Sequence, residues 1–484
     1  MIELGLFAVG VALVALPTSL AQAVPSTPCG AGGTYTFATG TSTCTYGTAG
    51  AYQFTVPAGT TAVDATAIGA AGGGGGGEGA QVQAMLGVSS NTNLSIVVGG
   101  HGGNGVIADS GNGGMGGSGG GGDGGGTAGS TDGGGGGGGG ASSLTAGGSF
   151  LLVAGGGGGG PGGGPVGGGN ADQDGDGCSG RAQGGSSGDA GGLGGSGFIG
   201  GGSGTNGTSG AGGTGGSGYG GGGGGGGGGY LGGGGGGSDD DYYCGGGGGG
   251  GGESFVAPTA TVESAPAPVT QAAEVVVTWA LSVSTTPQPG SANIGSSIAD
   301  HATVSGGYNP SGTVTFHLYN NPNGTGTPLF TDTETLSGGP VTSKSYKATQ
   351  SGTFYWVATY SGDGNNDPLS GDTGAEPVTI KAPTSLSAAP QLVLWEPFVG
   401  IGNQVVQATL TSNRSPLKGQ TISFSDGSTP LCTAITNSQG VARCAISSLS
   451  QRLLTLNNHY TATFAATSSY LGSSSTVPAI TFLW

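Results

Sequence analysis

Three carboxylates on alternate residues, Asp172-Gln-Asp174-Gly-Asp176-Gly177, are the best candidates for coordination chemistry. Oxygen ligands at this spacing on a tight turn can converge on one hard cation, as in the first half of a calcium loop. Position twelve of that loop is Gln183, so the bidentate Glu of an EF-hand is missing. A looser calcium site on Asp172, Asp174 and Asp176 is the only metal expectation, and a solvated acidic turn outweighs it. The run Asp239-Asp-Asp241 aims adjacent carboxylates in different directions and reads as a polar cap at a bundle end.

Catalytic patterns fare worse. Gly116-Gly-Ser118-Gly-Gly120 spells a nucleophile elbow, but in so glycine-rich a chain chance supplies the match. No strand–helix context surrounds it, and no His and carboxylate follow in a credible order. No Lys follows a Gly, which removes the phosphate-binding loop. The histidines at 101, 301, 317 and 459 lie far apart and no C-x-x-C occurs, which argues against structural zinc. His101, at a strand end, reads as a buried or capping residue. The chain is expected not to be an enzyme and to carry no cofactor.

Six cysteines, Cys29, Cys44, Cys178, Cys244, Cys432 and Cys444, point to disulfides if the chain is exported. Export is what the first residues indicate. Ile2–Leu20 is almost wholly apolar and Ala21-Gln22-Ala23 is a small-x-small cleavage site, so residues 1–23 read as a signal peptide, which the short span and Pro17 favour over the competing single-pass anchor. Only Glu3 is charged there, so a basic start could lie upstream of Met1. No later segment is apolar and long enough to span a bilayer. The mature protein is expected to be secreted, either soluble or held non-covalently at a cell surface, with no transmembrane segment.

Composition narrows the partners. Of 484 residues 124 are Gly and 7% are charged, with 8 Lys+Arg against 25 Asp+Glu and a net charge of −17. Arg181 is the first cation and stands alone until Lys344. The N-terminal half therefore cannot displace the counterions of a nucleic acid, nor be drawn to an anionic membrane. The glycines run unbroken, unlike one-in-three collagen.

Roughly 94 of the 124 glycines fall between Gly72 and Gly252. Strand patterns flank and interrupt them: Tyr52–Val56, Val63–Ile68, Gln81–Leu86, Leu94–Val98, Phe150–Ala154 and Glu274–Trp279. A free linker has no reason to resume strand patterning, so the tracts read as insertions between strands of one β-sandwich. Glycine loses the most backbone entropy on ordering and offers no side chain to bury. The ordered state open to it is a bundle of extended helices, three residues per turn, joined by hydrogen bonds. On that reading Gly225→Val breaks the packed array, whereas a substitution at the rim near Gly204 is silent. Trp279, Trp356 and Trp395 read as core. Tyr230, Tyr242 and Tyr243 interrupt the tracts, either as exposed anchors or packed back on the sandwich.

The order of motifs resembles a known family. Val56-Pro-Ala-Gly59, Ala67-Ile-Gly-Ala-Ala-Gly72, Leu151-Leu-Val-Ala-Gly155, the segment around Tyr230-Leu231 and the glycine run ending at Val256 are similar to the glycine-rich domain of bacterial exoproteins. More distantly they resemble the same domain in anaplastic-lymphoma-kinase-type receptors. The resemblance covers about residues 34–280 and implies a jelly-roll-like sandwich with projecting polyglycine helices. The receptors use this domain to recognise protein ligands, but none of their contact residues can be placed here.

Residues 281–382 and 383–484 are Ser/Thr/Val-rich, with short alternating strands such as Thr313–Tyr319, Gly352–Tyr360, Gln420–Phe424 and Tyr460–Phe464. Both resemble bacterial Ig-like repeats. The first does so through Gly312–Phe316, Gly352–Tyr360 and the Gly362-Asp-Gly-Asn-Asn366 turn, the second through Leu431–Cys444. Such repeats imply spacer modules.

The expected architecture is thus all-β: a glycine-rich sandwich over 24–280 with polyglycine insertions, then two Ig-like sandwiches. Cys432 and Cys444 are expected to pair across a hairpin with a five-residue loop at 436–440. Among the four N-terminal cysteines three connectivities exist; Cys178–Cys244 with Cys29–Cys44 is the expectation, and Cys29 joined to Cys178 or Cys244 stays open. The functional expectation is adhesion or recognition of an extracellular protein or glycan. A purely structural envelope or matrix role is the first alternative, and ice binding by a flat polyglycine face is another.

Overall fold

The computed structural model describes residues 28–107, 111–128, 133–163, 167–177, 192–198, 200–240, 245–372, 376–395, 404–446 and 458–483. It is all-β, with no α-helix among the described residues. The N-terminal region contains β1 (Thr34–Ala38), β2 (Thr41–Tyr46), β3 (Gly50–Thr55), β4 (Ala62–Ile68), β5 (Gly79–Gly87), β6 (Asn93–Val98), β7 (Ser142–Ala146), β8 (Ser149–Ala154), β9 (Phe255–Val256), β10 (Thr261–Val269) and β11 (Glu274–Ala280). They form two sheets, ordered β1-β2-β11-β4-β5-β10 and β3-β6-β7-β8-β9. Alternation in β2, β4 and β11 turns Tyr46, Val63, Val275, Val277 and Trp279 inward to meet Phe54, Leu94, Ile96, Leu144 and Leu152. Cys29 and Cys44 form a disulfide in this core, Cα atoms 5.4 Å apart.

The glycine tracts leave from one end of the sandwich, where β4, β6 and β8 stop and β5, β7 and β9 begin. Ser142 secures this exit: its hydroxyl donates to the Ile68 carbonyl at 2.6 Å and accepts the Gly99 amide at 3.0 Å. Beyond it, backbone bonds run between tracts with a three-residue repeat. In the run from Gly133 to Gly140, Gly135 and Gly138 donate to Gly125 and Gly122, Gly136 and Gly139 to Gly160 and Gly157, and Gly137 and Gly140 to Gly103 and Gly100. The same run accepts from Gly114 and Gly117, from Ala70 and Gly73, and from Gly225 and Gly228. It is therefore surrounded by six neighbours, as in a close-packed array of polyglycine helices. The run around Gly225 is enclosed in the same way. These inner glycines are buried, and only hydrogen bonds between tracts hold them, because no side chains exist to form a core.

Close approach explains the residue type. A Cβ on Gly225 would lie 2.1 Å from the Gly122 carbonyl oxygen, and one on Gly138 would lie 2.0 Å from that of Gly226. Gly204 departs from the sequence expectation. Its amide bonds Gly195, and a Cβ there would come within 2.1 Å of the Gly235 oxygen. The position is packed on its inner side, so it is not a tolerant rim.

Each Ig-like region is a two-sheet sandwich. In the first, strands Ser282–Gln288, Ser297–Ser305 and Val341–Thr342 face a sheet built on Thr313–Tyr319, Gly352–Tyr360 and Glu376–Lys381. Trp356, Phe316 and Tyr360 fill the space between them. In the second, Cys432 pairs with Phe424 in one sheet, while Cys444 pairs with Val406 in the other. This corrects the hairpin expectation. The two cysteines do form a disulfide, Cα atoms 6.3 Å apart, but it joins the two sheets of the sandwich. The turn at Asn437–Gly440 carries the chain from one sheet to the other, with the Val441 amide donating to the Asn437 side chain at 3.0 Å. Cys178 and Cys244 lie outside the described residues.

Candidate recognition surface

The expected calcium ligands do not converge. Asp172 sits at φ 61°, and its carboxylate accepts the Ser254 amide at 2.7 Å and the Ser254 hydroxyl at 2.8 Å. Asp174 and Asp176 follow on an extended stretch whose backbone joins the array, with Gly248 donating to the Asp176 carbonyl. Among the described residues no group of three or more His, Cys, Asp or Glu side chains could hold a metal ion. The physical reason is that Asp172 sits on a turn with its carboxylate taken by Ser254, while Asp174 and Asp176 lie on the extended stretch beyond it.

Other singled-out residues also find structural places. His101 is exposed rather than buried, its Nδ1 2.7 Å from the neighbouring Gly102 carbonyl. Trp279 and Trp356 are buried; the Trp395 side chain lies outside the described residues, as do Asp241, Tyr242 and Tyr243. Tyr230 packs back on the sandwich, stacked on Phe255 at 4.3 Å and edge-on to Phe150 at 5.8 Å. Asp239 is buried, and Asp240 accepts the Tyr219 amide at 2.6 Å.

What the structure assembles instead is an outer row of four tracts: 111–118, 120–127, 211–218 and 202–208. Gly124 donates to Gly114, Gly215 to Asp123, and Thr205 to Thr214, which places the four side by side. Inward, they bond the buried runs. Outward, side chains recur at every third residue: Asn112, Met115 and Ser118 on one tract, Thr214 and Ser217 on another, Ser203 and Asn206 on a third. At three residues per turn, such positions stack in columns roughly 9 Å apart along the tract.

These side chains have a definite chemical task. Tracts at the boundary of the array have amides with no neighbouring tract to bond. Asp123 accepts the Gly116 amide at 2.7 Å, Ser217 the Gly126 amide at 3.0 Å, and Thr205 the Thr214 amide at 2.7 Å. Asn206 accepts from Gly194 at 2.9 Å, and Asn104 from Gly74 at 2.7 Å. Short polar side chains thereby cap the edge, and large apolar groups stand exposed beside them. Met115 is 79% exposed and Leu193 66%, with Ile107 and Tyr219 similarly open.

The sequence reasoning missed this surface. Its signal is the X-G-G-X spacing in Asn112-Gly-Gly-Met115-Gly-Gly-Ser118 and Ala211-Gly-Gly-Thr214-Gly-Gly-Ser217. Counting glycines hid it; asking which residues interrupt them, and at what period, finds it.

The bundle also has a defined position. β11 begins at Glu274 beside Ile68, at the tract exit, and ends at Ala280 beside Thr41. At that second end Leu281 donates to the Gly40 carbonyl, Gly306 donates to Ala58, and Trp279 Nε1 donates to the Gly306 carbonyl. The first Ig-like region is joined there. The two Ig-like regions meet at Ala382, whose amide donates to Ser469 and whose carbonyl accepts from Leu471. The glycine bundle thus projects from the end of its sandwich opposite the Ig-like regions. Among the described residues, no helix is long and apolar enough to cross a membrane.

No protein-family model and no curated protein sequence matches the chain. Among solved structures it is similar to part of a 1.5-MDa bacterial ice-binding adhesin at 13% identity and TM-score 0.20, covering 42% of this chain and 65% of that one. It is similar to the Yersinia pseudotuberculosis adhesin InvE at 16% identity and TM-score 0.21, covering 41% of this chain and 60% of that one. The D0–D1 domain of intimin matches at 16% identity and TM-score 0.17, covering 40% of this chain and 98% of the domain. The chain thus spans less than two thirds of the first two structures' lengths. At these TM-scores the likeness carries no argument about what this chain does.

Proposed function

We propose that the chain is an exported, non-enzymatic recognition protein that acts in adhesion at a cell surface or in a matrix. The outer row of glycine tracts is its binding face, and the two Ig-like regions are spacers. One observation carries this reading: the hydrogen-bonded bundle stands at the end of its sandwich opposite the spacers, where a partner has free access. A binding face benefits from a rigid backbone, since little entropy remains to be lost on association. Here every inner tract is bonded on several sides, and the side chains at its boundary stand in fixed columns. The partner is an extracellular protein or glycan. The small number of cations in this half of the chain makes a polyanionic partner a poor match.

The test is a binding screen of the full exported chain against immobilised glycans and extracellular proteins, followed by surface variants. Met115→Arg and Thr214→Arg on the outer row should weaken binding at least tenfold, whereas Thr333→Arg on an exposed Ig-like strand should leave it unchanged. Binding that survives both outer-row variants would move the site elsewhere. Thermal hysteresis, without binding to any macromolecule, would replace the proposal with ice binding.

A further inference from the structure

Asp300 lies inside the first Ig-like sandwich. On strand Ser297–Ser305 it occupies the inward-facing register between Ile298 and Ala302, and all three are buried. Its backbone is satisfied, since the amide donates to Ser343 Oγ at 3.0 Å and the carbonyl accepts the Ser343 amide at 2.9 Å. Its side chain is not: neither carboxylate oxygen has a hydrogen-bond partner. An ionised carboxylate in such a place carries a large desolvation cost, which the His301 and Thr286 backbone amides offset only in part.

The surroundings make ionisation harder still. Strands Ser282–Gln288 and Val341–Thr342 beside it contain no ionisable side chain. Lys344, just beyond, is held outside on Asp332 at 2.8 Å and Glu334 at 3.1 Å, and Lys347 is exposed. His301 turns to the opposite face and meets Thr342 Oγ1 at 2.9 Å. From the facing sheet, Tyr360 donates to Asp363, Tyr355 and Lys381 lie in the outward register, and Glu376 brings a second carboxyl. Burial, helped by Glu376, outweighs the opposing His301 and Thr286 backbone amides and pushes the Asp300 carboxyl up to about 7.

We propose that the first Ig-like region is an acid-stabilised joint, in which ionisation of Asp300 loosens strand Ser297–Ser305 and its hold on the glycine-rich sandwich. The strand leads directly into that hold. Gly306, one residue past its end, donates to Ala58 at 3.1 Å and accepts from Trp279. The sign follows from proton linkage. Between the ordinary carboxyl value of 3.8 and about 7, the folded strand keeps a proton that the unfolded chain releases. Its stability therefore falls as pH rises through that window and is level above it. Each unit is a factor of ten, so the full window corresponds to at most about a thousandfold in the local opening equilibrium.

The test is amide exchange over Ser297–Ser305 in the full exported chain at about pH 5 and about pH 8, corrected for intrinsic exchange. Protection should fall tenfold or more at the higher pH in the native chain and stay level in Asp300→Asn. Glu376→Gln should keep the response but move its midpoint to lower pH. Equal protection at both pH values, or a response that persists in Asp300→Asn, overturns the proposal, as does a response lost in Glu376→Gln alone. Should Asp300→Asn fail to fold, carboxyl NMR of the aspartate-labelled native chain decides: no aspartate titrating well above the ordinary range would also overturn it.

Discussion

Asp123 and Gly116 face each other across two neighbouring outer tracts, the carboxylate accepting the glycine amide at 2.7 Å. The pair shows how the boundary of a bundle without a hydrophobic core is finished. Asp123→Ala should leave that amide to water and cost about 1 kcal/mol, the low end for a lost hydrogen bond near solvent. Amide exchange at Gly116 should accelerate while the buried run from Gly133 to Gly140 stays protected. Unchanged exchange at Gly116 would mean that the cap contributes nothing.

Inside the array the cost is much larger. Gly225→Val would force a Cβ toward an oxygen 2.1 Å away and part several tracts together. Each stranded buried group costs about 1–3 kcal/mol, so the glycine-rich region should lose its protease resistance. Gly204→Val should be damaging as well, because its Cβ meets the Gly235 oxygen at 2.1 Å. Leu193→Ser, on an exposed column, is the silent control. Wild-type protease resistance in Gly225→Val would show that the tracts do not pack as described.

The disulfide between Cys432 and Cys444 ties the two sheets of the last sandwich together. Closing a loop with sequence separation 12 should contribute about 3 kcal/mol. Replacing both cysteines with Ser should lower the unfolding free energy of this region by about that amount, read as a lower midpoint in chemical denaturation with and without reductant. A midpoint insensitive to both treatments would rule out the staple.

The first Ig-like region should be most stable in mild acid. Asp363 accepts hydrogen bonds from Ser311, Asn365 and Asn366. Although burial opposes them, these bonds hold its carboxyl down at about 2. Its contribution is fully present above the ordinary 3.8 and is lost as pH falls through about 2. Asp300 works in the opposite direction at higher pH. A stability maximum close to the ordinary carboxyl value, displaced upward in Asp300→Asn and flattened on its acid side in Asp363→Asn, is the expected profile from thermal melts. A maximum above about 7 would contradict both assignments.

Much of the architecture could be read from residue order. β3, β4, β5 and β6 announce themselves by alternation, because a strand with one buried face must alternate whatever its partners are, and β8 and β11 by short apolar runs. The three-residue helix was equally legible, since a glycine run without side chains can pack on all sides and pair its amides with neighbouring tracts. β10 was not, because Pro266 and Pro268 conceal an edge strand that pairs with β5 through two register shifts.

Residue order did not say which tract lies beside which. Gly135 bonds Gly125 nearby, but Gly136 bonds Gly160 and accepts from Gly225; identical glycines carry no information about their partners. That choice belongs to the sandwich, which anchors each tract at a strand end, and to interrupting residues such as Asp123 and Asn206, which tolerate only the boundary. The same holds for Cys432 and Cys444. A twelve-residue spacing fits either a hairpin or a crossing between sheets, and only the pairing of their strands with Phe424 and Val406 decides it. Sequence determined that the chain would be all-β with bonded glycine helices, because those are local properties of the backbone. Tertiary structure alone decided which side chains form the outer face, because a position becomes surface only when no neighbour occupies the space beside it.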